Sequence, residues 1–339
     1  MTKYVCHLLF VFCLFEPVKA HGEIVTGDKL YSVELLEHDL KLIQTKYQQQ
    51  VIVKSIGTSH FGQPIWAAKL GKGKKNIVII GSHHGREWMT STLVMKMLET
   101  YADDYKEGRI WPRSTKILDE VSIWFVPMLN PDGVSIQQNR IDTLPIKQQR
   151  QLVGMNKGQT NFKRWKANGI GIDLNRQYPA GWSSLEKVPK VPSYQFYKGK
   201  KPLEAMEVIA ITNFIKDINP SIAVAYHTAG REIFWNYKNG NHLQRDRKVA
   251  KKMAKLTHYK LARPPKEATG GGFTDWFITT YHRPALTIEI SYLVGETSPP
   301  LSVFKEEWKR NRYVGLKLAK EAKKIPVHTH NSKGDGENN

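Results

Sequence analysis

An α/β fold is what this sequence predicts: a single-domain three-layer sandwich around a twisted, mixed and mostly parallel sheet, with helices on both faces. Three observations carry that expectation. Short continuous apolar runs alternate with longer amphipathic segments, the pattern of strands feeding crossover helices. The 339 residues are 40% hydrophobic and 24% charged, with 9 Trp, 14 Tyr and 12 Phe to bury, which excludes disorder as the main state. No internal repeat and no long Pro/Gly/Ser linker divides the chain. No apolar run reaches the ~18 residues that a membrane span needs, so an integral membrane protein is not expected.

The first twenty residues open with Met1-Thr2-Lys3, run almost unbroken apolar from Val5 to Phe15 and end in Glu16-Pro17-Val18-Lys19-Ala20. A charged start, a short apolar centre, a Pro break and a small last residue are the parts of a secretory signal. Residues 1–20 are therefore expected to be removed and the protein secreted. Both cysteines, Cys6 and Cys13, fall inside this segment. The mature chain would hold no thiol, which excludes cysteine catalysis, thiolate metal sites and disulfides.

After this signal, Tyr31 to Tyr47 has helical amphipathic spacing. Val51–Gly57 and Pro64–Leu70, joined around His60-Phe61-Gly62, read as a β-hairpin. Asn76–Gly81 (NIVIIG) is continuously apolar, as a strand buried on both faces must be. Trp88 to Tyr101 follows as a helix with Leu93, Met97 and Tyr101 on one stripe. Further strands are expected at Val121–Met128, Ser221–Tyr226 and Ala285–Ile290. Helices are expected at Leu203–Ile218, around Trp276–Thr280, and over one long stretch from Leu301 to Lys324. Residues 326–339 are polar and read as a disordered tail.

The polar residues able to do chemistry sit at or just beyond the ends of those strands. His83-His84 follow NIVIIGS, Asn130-Pro131-Asp132-Gly133 follow VSIWFVPML, His227 ends SIAVAYH, and Glu289 lies near the end of ALTIEI. In open α/β sheets ligands bind outside the carboxyl ends of the strands, so these distant residues can converge. His84-Gly85-Arg86-Glu87 is a His-x-x-Glu pair in a strand-to-helix turn, and His227 could supply a third donor. Two imidazoles and a carboxylate with an open fourth position form a catalytic zinc set. His83 is the competing ligand. His60, in the hairpin turn, and His258 and His282, on helices, read as ordinary structural residues, and His328 and His330 as solvated ones.

From about Gly57 to Trp308 the sequence resembles the zinc carboxypeptidase family, the carboxypeptidase A-like metallopeptidases. HHGREW (83–88), NPDG (130–133), DLNR (173–176), AYHTAG (225–230), GGGFTDW (270–276) and LTIEI (286–290) occur in the family's order. The resemblance implies a zinc peptidase catalytic domain over residues 21–325, with one Zn²⁺ held by His84, Glu87 and His227. It implies that Glu289 is the general base, taking a proton from the attacking water and returning it to the leaving amine. Asp173 matches the carboxylate that orients His84 through its other ring nitrogen. Asn175 and Arg176 match the pair that grips a substrate carboxylate, and Thr274 matches the residue of the side-chain pocket.

Two positions depart from the digestive enzymes. Lys166 stands where an arginine polarises the scissile carbonyl; it carries the charge without the planar fork, and Arg164 and Asn168 are neighbours that could share the contact. Glu267 stands where a mobile tyrosine is expected, which leaves Tyr259 or a later tyrosine as its substitute. WKAN with G-x-DLNR-x-YP (165–179), and His227, Gly230, Ile233 and Trp235, are similar to bacterial γ-D-glutamyl-diamino acid peptidases. Those enzymes cut peptidoglycan stem peptides between the γ-carboxyl of D-glutamate and meso-diaminopimelate or lysine. That likeness implies a muropeptide substrate, with Arg231 helping Arg176 to anchor a carboxylate.

The formal net charge is +20, from 51 Lys+Arg against 31 Asp+Glu, and such a surface attracts polyanions. Acidic cell-wall polymers are the expected partners of this secreted protein, which is read as a monomer. The basic segment His242–Lys260 has no aromatic interleaving beyond Tyr259 and no nucleic-acid motif, so specific nucleic-acid binding is not expected. Two other functions stay open at this level. One is a general metallocarboxypeptidase releasing C-terminal residues; the other is an inactive peptide- or polyanion-binding protein, against which the retained ligands and Glu289 argue.

Overall fold

The computed structural model describes residues 22–109, 114–262 and 269–326. The signal-like segment 1–20, Glu267, His328, His330 and all of the tail beyond Pro326 lie outside the described residues. β1 (Val51–Thr58) and β2 (Pro64–Leu70) form the expected antiparallel hairpin, with Val51 opposite Leu70. β3 (Lys75–Ile80), β4 (Val121–Val126) and β5 (Ile222–Thr228) follow, then two short pieces, β6 (Glu232–Phe234) and β7 (Lys260–Leu261), and finally β8 (Ala285–Ile290). They make one sheet in the order β1-β2-β4-β3-β5-β8-β6-β7. Its centre is parallel, β3 pairing with β4 and β5, and β5 with β8. Antiparallel pairing joins β2 to β4 and β6 to β8.

Helices cover both faces, which is why the central strands are mostly apolar, with polar residues such as Ser122, His227 and Glu289 falling singly among them. Along β3, Ile77 and Ile79 pack into one layer with α1 (Val33–Lys46) and α2 (Met89–Lys106). Val78 and Ile80 point the other way, into a layer with α5 (Met206–Ile218) and α7 (Phe273–Tyr281). That alternation is the period-two geometry of a strand between two helical layers. Ser32 accepts a hydrogen bond from the Leu35 N–H and so starts α1 at Val33. α3 (Pro131–Gln137) and α4 (Ile146–Met155) were not legible as helices. With Phe162, Trp165 and Tyr194 they enclose a satellite core that steadies the irregular stretch 156–205.

The long C-terminal helix is broken. A 3-10 turn, Leu301–Val303, leads into α8 (Phe304–Asn311) and then α9 (Val314–Ala322). Asn311 bonds through its side chain to the Glu307 carbonyl oxygen at 2.9 Å and to the Tyr259 hydroxyl, also at 2.9 Å. Side-chain bonding of this kind competes with the helical ladder. A Cβ on Gly315 would stand 2.7 Å from the Tyr101 ring, so this glycine lets α9 settle directly on α2. The remaining basic helix, α6 (Leu243–Thr257), ends one residue before His258. His258 and His282 both follow their helices in left-handed backbone, with φ of 60° and 53°, instead of lying within them.

One buried carboxylate ties the hairpin turn to the loop around residue 168. Glu207, in the first turn of α5, accepts from the His60 N–H at 3.3 Å and from Asn168 Nδ2 at 3.1 Å. Burial, with Asp132 nearby, pushes its pKa up to about 7. The folded state therefore holds this proton over a range where the unfolded chain has lost it, so stability falls as pH rises from about 4.5 towards 7. The shift corresponds to about 3 kcal/mol. Denaturant titrations at about pH 5 and pH 8 should show Glu207→Gln gaining on the native chain at the higher pH. An equal offset at both pH values would contradict the assignment.

Candidate metal centre

Beyond β3, Ser82 turns the chain through a left-handed conformation, φ 47°, into extended His84 and a 3-10 turn, Gly85–Glu87, that opens α2. The turn sets His84 and Glu87 side by side, with Glu87 Oε1 2.8 Å from His84 Nδ1. Gly85 is required here, because a Cβ would stand 2.2 Å from the Gly133 carbonyl oxygen. The Gly85 N–H donates to the Lys166 carbonyl at 3.1 Å. Asn130 caps α3 and donates through Nδ2 to the carbonyls of His83, at 3.0 Å, and Ala167, at 3.1 Å. The NPDG motif is thus a clamp between the His84 turn and the Lys166 loop.

The third donor arrives from β5. Its parallel register with β8 sets His227 opposite Glu289. His227 Nδ1 lies 2.9 Å from Glu87 Oε2 and 3.2 Å from His84 Nδ1. Tetrahedral zinc with bonds of about 2.0–2.1 Å needs donors about 3.3 Å apart, and these three side chains come close to that spacing. Two imidazole nitrogens and one carboxylate are also a donor set that suits zinc. His84 Nε2 is 3.0 Å from Asp173 Oδ1, which fixes the ring so that Nδ1 faces the centre. His83 is not part of the group: its Nε2 meets the Tyr178 hydroxyl at 3.1 Å, and its ring stacks on His227 at 5.1 Å. Among the described residues, His84, Glu87 and His227 are the group of three or more such donors close enough to hold an ion.

Charge follows geometry. Burial opposes ionisation of Glu87, yet His84 and His227 hold its carboxyl well below the usual range. Asp173 is likewise held down against burial, by Lys166 and His84. Glu289 goes the other way: burial, with the negative Glu87 nearby, raises it well above an ordinary carboxyl. Its Oε2 is enclosed and has no hydrogen-bond partner. A carboxylate with a free oxygen and a raised proton affinity is suited to accept a proton from water.

His84, Glu87, His227 and Glu289 line one cavity of 160 Å³, together with Lys166, Asn175, Arg176, Thr274, Asp275 and Trp235. Lys166 Nζ lies 3.7 Å from Asp173 Oδ2 and 4.7 Å from the centre of the Phe196 ring. Asn175 Oδ1 accepts from the Phe273 N–H at 3.0 Å, which docks the start of α7 on the DLNR turn. Thr274 and Thr287 share a hydroxyl hydrogen bond of 2.7 Å in the cavity wall.

Arg231 is not brought into this lining. Its guanidinium is held by α8, Nε 2.9 Å from Glu307 Oε1 and Nη2 2.7 Å from Glu306 Oε2, so the expected help for Arg176 is absent. Arg164 is bound to Asn156 and lies over the Tyr194 ring, and Asn168 is buried against Glu207; neither lines the cavity. Tyr259 donates to the buried Glu307 carboxylate and does not reach the cavity either. Sequence reasoning missed Asp275 and Trp235 as wall residues. Asp275 sits inside the GGGFTDW motif, which was the available signal.

Activation of water by a dication beside a carboxylate base, at the strand ends of an α/β sheet, is hydrolase chemistry. Residues 36–313 match the zinc carboxypeptidase family, and the chain belongs to that family as a zinc metallopeptidase. It is 30% identical over 292 residues to γ-D-glutamyl-L-diamino acid endopeptidase 1 of Lysinibacillus sphaericus, covering 83% of this chain and 70% of that protein. It is 32% identical to the uncharacterized protein YqgT of Bacillus subtilis, covering 80% and 73%. Bovine thrombin-activatable fibrinolysis inhibitor, solved with tick carboxypeptidase inhibitor, has a TM-score of 0.72 at 17% identity, covering 88% of this chain and 99% of that one. Carboxypeptidase A from Helicoverpa armigera has a TM-score of 0.66 at 18% identity, covering 90% and 76%. At those identities the likeness is one of fold.

Proposed function

We propose that this metallopeptidase is secreted, acts as a monomer, and hydrolyses the amide between the γ-carboxyl of D-glutamate and a diamino acid in cell-wall stem peptides. The observation that carries the reading is the charge of the cleft. Lys166 and Arg176 line it with Asp275 and the Thr274–Thr287 hydroxyl pair, so this polar, charged wall suits a substrate bearing carboxylates and other charged groups better than an apolar C-terminal residue. The likeness to the Lysinibacillus endopeptidase supports the same bond.

In this reading Arg176 and Asn175 bind a substrate carboxylate and Lys166 faces the scissile carbonyl oxygen, opposing the charge that develops there. Glu289 accepts a proton from the water as the water oxygen adds to the carbonyl carbon. It delivers that proton to the amide nitrogen as the C–N bond breaks, leaving a carboxylate and an amine. Asp173 keeps the His84 ring in place throughout. Zinc, when bound, supplies Lewis acidity and a lowered pKa for water. The basic surface would hold the protein against acidic wall polymers.

The test compares L-Ala-γ-D-Glu-diaminopimelate peptides with simple N-blocked dipeptides, using protein recovered from culture supernatant and sized by mass spectrometry. Turnover of the γ-linked peptides by a chain beginning at His21 is expected. Turnover of the dipeptides alone would leave a general metallocarboxypeptidase, and an uncut chain retained in cells would remove the secretion reading.

A further inference from the structure

Phe196 is a large aromatic residue that joins none of the apolar clusters formed by the described residues. It is 36% exposed and lies in left-handed backbone, φ 65°, which a bulky side chain rarely adopts. Such a conformation persists only where neighbouring contacts hold it, and it points to a use for the side chain. The contacts are on the DLNR turn: the Phe196 N–H donates to Asp173 Oδ2 at 3.2 Å, and the Tyr197 carbonyl accepts from the Asp173 N–H at 2.8 Å. Two residues earlier, the Tyr194 carbonyl accepts from the Lys166 N–H at 2.9 Å. Segment 194–197 thereby fixes the Phe196 ring relative to the Lys166 backbone. The ring centre lies 4.7 Å from Lys166 Nζ, within the range in which an aromatic face attracts a cation. The Arg176 guanidinium carbon is at the edge of that range, 5.9 Å away, and Arg176 is held separately through Nη1 on the Asn175 carbonyl at 2.9 Å.

We propose that Phe196 is a positioning residue whose ring face holds the Lys166 ammonium in place at the cleft. The proposal rests on the peptidase reading above, in which Lys166 opposes the charge that develops on the scissile carbonyl oxygen, and adds to it what aims the ammonium. A guanidinium carries its direction in a planar fork, whereas an ammonium on a flexible four-carbon stem takes its direction from its surroundings. Asp173 supplies only part of that: its Oδ2 is 3.7 Å from Nζ, longer than a hydrogen bond, and already accepts from the Phe196 N–H. Burial works against the charged form of Lys166, so a second favourable contact for the ammonium counts for more here than on the surface. Phe196 is not among the residues lining the cavity, so it acts on the substrate through Lys166.

The experiment is a double-mutant cycle on the zinc-loaded enzyme, reading kcat and KM separately on γ-linked peptides and on N-blocked dipeptides. Phe196→Leu is expected to lower kcat by about 3–30-fold, the range set by a cation on a ring face, and to leave KM within about twofold. Phe196→Tyr keeps the ring face and should restore kcat to within about twofold of native. In a Lys166→Met background, slower in itself, Phe196→Leu should cost less than about twofold, because its partner is gone. An equal loss in both backgrounds overturns the proposal. So does a Leu variant with native kcat, a loss confined to KM, or a Tyr variant as slow as Leu. Native turnover by Lys166→Met would instead fell the reading of Lys166, and the proposal with it. If only dipeptides turn over, the wall-peptide reading fails, yet the cycle on dipeptides still tests Phe196. Should Phe196→Leu not fold, pentafluorophenylalanine in place of Phe196 decides, since it keeps the ring shape and reverses the quadrupole. Its kcat should fall as for Leu, and an unchanged kcat rejects the assignment.

Discussion

Glu289→Gln is expected to lower kcat/KM by about 10²–10⁴-fold, the usual contribution of a positioned general base, or about 3–5 kcal/mol of transition-state stabilisation. The substitution keeps size and removes only the ability to take a proton. It costs the fold little, because Oε2 has no hydrogen-bond partner to lose. Glu289 sits opposite His227 in the β5–β8 register but is not one of the three closely spaced donors. The variant should therefore hold one zinc per chain and melt within about 2 °C of the native protein. The loss should appear mainly in kcat, since the residues proposed to bind substrate carboxylates, Arg176 and Asn175, are unchanged. Activity within tenfold of native would remove Glu289 from the chemistry. A zinc-free variant would mean instead that the ion depends on this carboxylate.

Much of the sheet was legible because its central strands are short, mostly apolar runs in which polar residues such as Ser122, Thr287 and Glu289 occur only singly. The centre was legible for a related reason. His84, Glu87, His227 and Glu289 each sit beside such a strand, so strand placement alone brings them to one end of the sheet. What failed was long-range and polar. Arg231 follows the His227 strand directly, yet Glu306 and Glu307 lie 75 residues or more downstream, and no local pattern could reveal that they hold it. β6 and β7, of three and two residues, are too short for any period to show. The break between α8 and α9 turns on Asn311 and Gly315, whose partners, Tyr259 and Tyr101, come from other parts of the chain. Asp275 was hidden by its motif: it read as a family marker, and only the cavity shows which way it faces.

The second large effect concerns the ion. His227→Ala should abolish stoichiometric zinc and reduce activity by more than about 10³-fold, because a carboxylate and one imidazole do not make a tight site. The apo protein should fold, since His227 ends a strand whose remaining residues are core: Ile222, Ala223, Val224, Ala225 and Tyr226 are all buried. Zinc present at about 1,000 times its dissociation constant adds about 4 kcal/mol to the native state. For a domain of this size that is about 6 °C in melting temperature. A chelator should therefore lower the melting temperature of the native chain by several degrees and leave that of His227→Ala unmoved. His83→Ala is the decisive companion. His83 stacks on His227, so a loss of stability is expected, but its Nε2 points at Tyr178 and the variant should keep its zinc. Zinc lost from His83→Ala and kept by His227→Ala would reverse the ligand assignment. Indifference of the native chain to chelation would remove the ion from both stability and chemistry.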